Sequence, residues 1–350
     1  MFYNWIRSVA ELNINAIIGL EMLMVALAVF ICTVAVTKVI LPVLRAKKLG
    51  QNISGYVPEH ATKQGTPTMG GICFIIATLL VMLVWIILEV FGVIGTLDKN
   101  KIVALALTLG FGVANAMIGF IDDYAKLVKK QNEGLTDKQK MACQIVATAA
   151  YLTAMALTVG ITTSFNIPFT DVSLNLGYFA YPIYLLVIVG FVNSTNITDG
   201  LDGLASSVCL SVAMGIALLS AVFCWRYTGV IGATLIGATL GFLVFNHYPA
   251  KMFMGDTGSL YIGGIIMGCA VAEGELVIFI IMSLLFILEM LSSLWQRVYF
   301  KLTHGKRFFK MAPIHHHFQK MGWGEVKIVT VFFIASLIFV ALGVMGKIIH

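Results

Sequence analysis

The feature that most constrains this chain is a succession of long apolar runs, among them Ile72 to Leu88, that returns along nearly its whole length. A bilayer core needs roughly 20 apolar residues of helix to cross it. In lipid only helices and closed barrels satisfy their own backbone groups. Ten segments meet the helical description: 19–44, 70–92, 102–121, 139–160, 181–197, 204–224, 230–246, 258–272, 276–298 and 327–347. The fifth and eighth are short and rich in Gly or Asn. Composition agrees, with 59% of residues hydrophobic, 11% charged and a mean hydropathy of +0.94. A soluble domain is closer to half apolar and a quarter charged. The fold class expected is an all-α integral membrane protein of about ten transmembrane helices, forming a single polytopic domain over 1–350. The first long run, from near Gly19, exceeds the length of a signal core and is followed by more spans, so a cleavable leader is not expected.

Ten spans divide the connecting segments into two sets. One holds 45–69, 122–138, 198–203, 247–257 and 299–326; the other holds both termini and the remaining loops. With helix ends included, about 16 Lys and Arg fall in the first set and about 5 in the second. The positive-inside rule then places the first set in the cytoplasm and both termini in the periplasm. Removing one span would mix the sets and erase the bias. The net charge of +6 reflects these loops, so nucleic acid is not a partner to expect. Segment 161–180 mixes β-branched and turn residues and reads as a periplasmic loop with a short β-hairpin. The six cysteines lie within or at the ends of apolar runs, where small buried hydrophobes belong.

The residues that carry chemistry fall in the first set. Asp122-Asp123-Tyr124 closes the third span. Paired carboxylates at a membrane boundary are costly unless paired, hydrated or bound to a cation, and they suit Mg²⁺. Asn193, Asn196, Asp199 and Asp202 recur every three residues, which on a helix makes one polar stripe. Asn246-His247 precedes Met254-Gly255-Asp256-Thr257-Gly258-Ser259. A helix beginning at Thr257 or Gly258 would aim backbone N–H groups at an anion, with Asp256 either an N-cap or a metal ligand. His315, His316 and His317, with Lys301, Lys306, Arg307 and Lys310, point to a polyanionic substrate. Lys63 and Thr68, in a Gly-rich loop that is not a Walker sequence, suit a phosphate. Carboxylates suited to Mg²⁺ and basic groups gathered on one face indicate phosphoryl transfer.

In combination these motifs (DDY, NxxNxTDGLDG, MGDTGS, APIHHH and KxGTPTMGG) resemble those of the bacterial phospho-N-acetylmuramoyl-pentapeptide transferase family. That family lies within the polyprenyl-phosphate N-acetylhexosamine-1-phosphate transferase superfamily. The resemblance runs from Lys63 to Trp323. It implies a multi-pass enzyme of the bacterial inner membrane, a homodimer. It also implies transfer of phospho-MurNAc-pentapeptide from UDP-MurNAc-pentapeptide to undecaprenyl phosphate with Mg²⁺, giving lipid I and UMP. By resemblance Asp256 is the metal ligand and Asp122 and Asp123 are a catalytic pair, Asp122 as base or lipid-phosphate contact. Asn193, Asn196, Asp199 and Asp202 line the cleft; Asn246 and His317 join the substrate-binding set. Phe253 stacks on uracil, Gln296 and Ala312 hold the nucleoside, and His315, His316 and Lys63 contact phosphates or the sugar-peptide. Gln319 departs from an acidic residue common after the histidines. Lys126 stands where the GlcNAc-1-phosphate branch, the nearest alternative, has a third aspartate. A lipid or solute transporter is the rival from another class; Glu89 and Glu289 are the acids deep enough to serve one.

Overall fold

The fold is seen in a computed structural model that describes residues 2–46, 65–94, 98–129 and 134–349. Helix α1 covers Phe2–Ala46, α2 Gly71–Val90, α3 Lys99–Lys129 and α4 Asp137–Thr158. A hairpin follows, of β1 (Ser164–Asn166) and β2 (Ser173–Asn175), antiparallel with Phe165 opposite Leu174. Then come α5 (Ala180–Thr198), α6 (Leu204–Phe223), α7 (Arg226–Asn246) and α8 (Gly255–Glu273). The chain continues through α9 (Leu276–Met282), α10 (Leu284–Leu302), the short α11 (Ile314–Lys320) and α12 (Glu325–Ile348). Every apolar run of the sequence is helical, and the hairpin lies inside 161–180.

Among the described residues, eight helices, α1 to α7 and α12, are long and apolar enough to cross a membrane. The ninth run, 276–298, is not one straight helix. It breaks at Ser283, whose backbone leaves helical geometry (φ −101°, ψ 15°), and α9 and α10 meet at 76°. Counted as one bent span, the pair makes nine, against ten from the runs. The difference is α8, whose glycines, hydroxyl residues and terminal acids Asp256 and Glu273 make it less apolar than those eight helices.

The reason is its surroundings. From Thr257 to Val271 every residue of α8 is buried, so it meets protein on all sides rather than lipid. Its glycines permit close approach. A Cβ on Gly71 of α2 would sit 2.3 Å from the Gly258 Cα, and one on Gly119 of α3 would sit 2.2 Å from the Asp256 carbonyl oxygen. Helices in membranes associate through such small-residue contacts, since apolar surface gains little by leaving lipid. The outer helices do the reverse: Leu20, Leu23, Leu27 and Ile31 of α1 are exposed apolar side chains. Two of the cysteines also face outward, Cys143 and Cys224, while Cys73, Cys209 and Cys269 are buried.

Candidate active site

The end of α3, the start of α4, the end of α5 and the start of α8 converge on one point. Asp122, Asp123 and Asp256 each offer an oxygen there, all within 4.8 Å of one another. Asp122 is held in place by the Leu135 N–H, which donates to its Oδ1 at 2.7 Å. Lys126 Nζ lies 2.6 Å from Asp122 Oδ2 and 3.1 Å from Asp256 Oδ2. Lys140 Nζ lies 2.6 Å from the same Asp256 oxygen and donates to Asn196 Oδ1 at 3.2 Å. The Asn196 amide in turn donates to Asp256 Oδ1 at 2.8 Å and to Ser259 Oγ at 3.0 Å.

Asp123 has a different task from its neighbour. Its carboxylate accepts from the N–H of Asp256 at 3.2 Å, the N–H of Thr257 at 3.0 Å and the Thr257 hydroxyl at 2.7 Å. The helix starts at Gly255, not at Thr257 or Gly258, and the N–H groups of Asp256 and Thr257 are taken by Asp123 rather than left for an external anion. Asp256 is therefore not the cap of α8. Gly255 itself needs its positive φ of +74°, and a Cβ there would lie 2.6 Å from Asp123 Oδ2.

The polar stripe divides. Helix α5 ends at Thr198, and Asp199 leaves the helix (φ −78°, ψ 51°), so the three-residue spacing holds only for Asn193 and Asn196. Asn193 donates to Gln144 Oε1 at 2.7 Å, one turn beyond Lys140 on α4. Asp199 faces the cage: burial, then the charges of Asp256 and Asp123, push its carboxyl up to about 8. Asp202 accepts from the Ala250 N–H at 2.9 Å, and its own N–H donates to Glu325 Oε2. Asn246 is buried, accepting from Ser206 Oγ and donating to the Met252 carbonyl; it holds the loop before α8 rather than facing a cleft. Half-buried Phe253 pairs with the loop before α2, its N–H donating to the Pro67 carbonyl and its carbonyl accepting from Gly70 N–H. Thr68 borders Gly255. Lys63 lies outside the described residues.

The tandem histidines close on the same region. His315 is fully buried, its Nδ1 2.9 Å from Glu289 Oε2. A Cβ on Gly200 would sit 2.3 Å from His315 Nε2, so the histidine loop touches the Asp199–Gly203 turn. The imidazoles of His315 and His316 are 4.2 Å apart, and His316 Nδ1 meets Gln319 Oε1 at 2.6 Å. His317 Nδ1 accepts from Lys310 N–H, and Gln296 Oε1 from Phe309 N–H. Ala312 is half-buried beside them. Both deep acids that a transporter reading requires are engaged: Glu289 by His315, and Glu89 by Arg226.

The Glycosyl transferase family 4 profile matches residues 105–274, and the phospho-N-acetylmuramoyl-pentapeptide-transferase signature 1 matches residues 63–75. A phospho-N-acetylmuramoyl-pentapeptide-transferase of Clostridium perfringens is 40% identical over 327 residues, 93% of this chain and 97% of that one. Enzymes of the same name from Staphylococcus aureus (42% over 323 residues, 91% and 97%) and Halalkalibacterium halodurans (38% over 316, 90% and 94%) are also similar. The chain belongs to the phospho-N-acetylmuramoyl-pentapeptide transferase family. It is a multi-pass membrane enzyme of that family, a phospho-sugar transferase.

The chemistry of the cage fits a hard divalent cation, which prefers carboxylate oxygens. Two ammonium groups stand against those oxygens as positive charge already. Sequence reasoning missed Lys140, Gln144 and Thr257. The signal for Lys140 was present: it is a cation at the very start of an apolar run.

Proposed function

We propose that this chain transfers phospho-MurNAc-pentapeptide from UDP-MurNAc-pentapeptide to undecaprenyl phosphate, releasing UMP and leaving lipid I in the membrane. The observation that carries the reading is the three-carboxylate cage with two lysines, at one end of a membrane bundle, in a member of this family. A phosphate oxygen of the lipid attacks the sugar-linked phosphorus, and the bond to the UMP oxygen breaks. The proposal includes ten spans in one domain of the inner membrane, both termini periplasmic, the cage cytoplasmic, and a homodimer.

Asp256 and Asp122 would hold Mg²⁺, which supplies charge neutralisation for the diphosphate. The second pKa of a phosphate monoester is about 6, so the lipid phosphate is already largely dianionic at neutral pH. Asp122 need not remove a proton. Its work is to position the acceptor and the cation, in keeping with phosphoryl transfer by orientation and charge. His315, fixed by Glu289, together with His316, Phe253 and Thr68, would meet the nucleotide and sugar.

The test is UMP release by purified protein in detergent with Mg²⁺ and undecaprenyl phosphate, comparing UDP-MurNAc-pentapeptide with UDP-GlcNAc. Release with the muramoyl substrate alone supports the reading. Release with UDP-GlcNAc moves the chain to the sister branch. No release from folded protein defeats it.

A further inference from the structure

We infer that Lys126 and Lys140 are exchangeable counter-cations: they neutralise the cage while it lacks a divalent ion, give way when one enters, and then serve an incoming phosphate. The inference rests on the functional reading above. The geometry is specific. Both ammonium nitrogens lie against the same oxygen, Asp256 Oδ2, at 3.1 and 2.6 Å, and Lys126 also lies 2.6 Å from Asp122 Oδ2. A divalent ion bound by Asp122 and Asp256 needs those oxygens, and an ammonium and a metal cannot share the same lone pairs at contact distance.

Charge counting shows why the exchange is useful. Three aspartates and two lysines give −3 + 2 = −1 before the metal enters. With Mg²⁺ the sum is −1 + 2 = +1, which attracts an anion. Without the lysines it would be −3 + 2 = −1, which repels one. The exchange therefore couples metal to phosphate: each favours the other, as linkage requires.

Release is sterically open. Lys126 has 36% of its side chain exposed and Lys140 13%, and an ammonium on a flexible stem re-aims readily, unlike a guanidinium fork. Lys140 also has a second partner in Asn196 Oδ1 from which it can pivot.

The experiment is a Mn²⁺ titration followed by electron paramagnetic resonance, without lipid or sugar substrate, on the unchanged protein and on Lys126→Gln, Lys140→Gln and the double variant. Each single substitution removes a competitor at about 3 Å, so affinity rises roughly threefold to tenfold. Adding UMP tightens Mn²⁺ binding severalfold in the unchanged protein and not in the double variant. Equal or weaker Mn²⁺ binding in folded Lys→Gln proteins overturns the inference, and so does UMP coupling that survives the double substitution. Thermal melts check folding. Should the variants not fold, amine acylation of the unchanged protein decides: Mg²⁺ increases labelling of Lys126 if the exchange occurs, and leaves it equal or lower if it does not. Tight Mn²⁺ binding and UMP release without the lysine effect would sink the inference alone; no Mn²⁺ binding by the unchanged protein would sink the metal reading with it.

Discussion

Two of the buried charge clusters stand at opposite ends of α2, and they are built on opposite plans. At the start of α2 lies the aspartate cage with its two lysines. At the far end, roughly 30 Å away at 1.5 Å per residue, Arg226 of α7 joins Glu21 of α1 to Glu89 of α2. Its Nε and Nη2 donate to Glu21 at 2.7 and 2.6 Å, and Nη1 and Nη2 donate to Glu89 at 2.8 and 2.9 Å. Trp85 Nε1 donates to Glu21 and the Tyr227 hydroxyl to Glu89. A planar fork filled by two carboxylates is fixed in place. The lysine cluster has the same kinds of charge but compact, mobile heads. One end is a lock across three helices; the other can exchange its cations. Buried charge alone therefore says little about function, whereas the type of cation says a good deal.

The sharpest way to break this comparison is Asp256→Ala. It removes the oxygen shared by both lysines, and UMP release should fall by at least about a thousandfold, as losses of key electrostatic groups do. Thermal stability should change little, because Asp123, not Asp256, caps α8. A large loss of melting temperature would instead make the cage structural. Arg226→Ala is the mirror experiment. It leaves two buried carboxylates unpaired, which costs about 3–5 kcal/mol and should appear as early unfolding or failure to accumulate. Arg226→Lys should recover only part, since an ammonium cannot hold two carboxylates in one plane. Full recovery by lysine would remove the distinction between the clusters.

The sequence made the membrane class, the ten helical runs and the hairpin legible, because hydrophobic length and turn chemistry are local properties. Most of the motif residues could also be named, since acids and histidines at span ends are conspicuous. What stayed hidden is relational. The division of labour between Asp122 and Asp123 depends on where α8 starts, and α8 belongs to a different part of the chain. The break at Ser283 leaves no Pro or Gly to mark it. The burial of α8 on all sides is a tertiary fact, and its glycines, which weaken its hydropathy, are what allow it to sit there. Asn246 looked like a site residue because of its neighbours, but the Ser206 and Met252 contacts that use its amide could not be read in advance.

A smaller effect sharpens the comparison through pH. Asp199 has its carboxyl pushed up to about 8, first by burial and then by Asp256 and Asp123. Its unfolded value is near 3.9. Between those values the folded protein holds a proton that the unfolded chain does not, so stability falls as pH rises from about 4 to about 8, by at most about 1.4 kcal/mol per unit. Melts in EDTA from pH 5 to 8 should show the decline, and Asp199→Asn should make it shallower, the remainder coming from Asp123, whose carboxyl is pushed up to about 6 by burial and then by Asp256. Stability that rises with pH over this range, or an unchanged slope in the variant, would be inconsistent with a raised carboxyl. Arg226 lies at the other end of the bundle and touches neither Asp199 nor the cage, so Asp199→Asn should change the slope equally in the unchanged protein and in Arg226→Lys.

The smallest effect separates the two adjacent aspartates. Asp123→Asn keeps one carbonyl oxygen for the Thr257 N–H and hydroxyl but presents an amide N–H to the rest of the α8 start. By the cost of an impaired helix cap this should destabilise the protein by about 1 kcal/mol. Asp122→Asn touches no N–H of α8; it weakens the Lys126 contact and the acceptor for Leu135 N–H. The two variants should therefore exchange effects. Asp123→Asn should lose more melting temperature, and Asp122→Asn should lose more turnover while retaining some at higher pH, where the lipid phosphate is fully ionised. If the carboxylates were a symmetric catalytic pair, both variants would lose turnover equally at every pH with equal stability. A difference in either measurement assigns one acid to holding α8 in register and the other to the reacting groups, although they are neighbours on the same turn of α3.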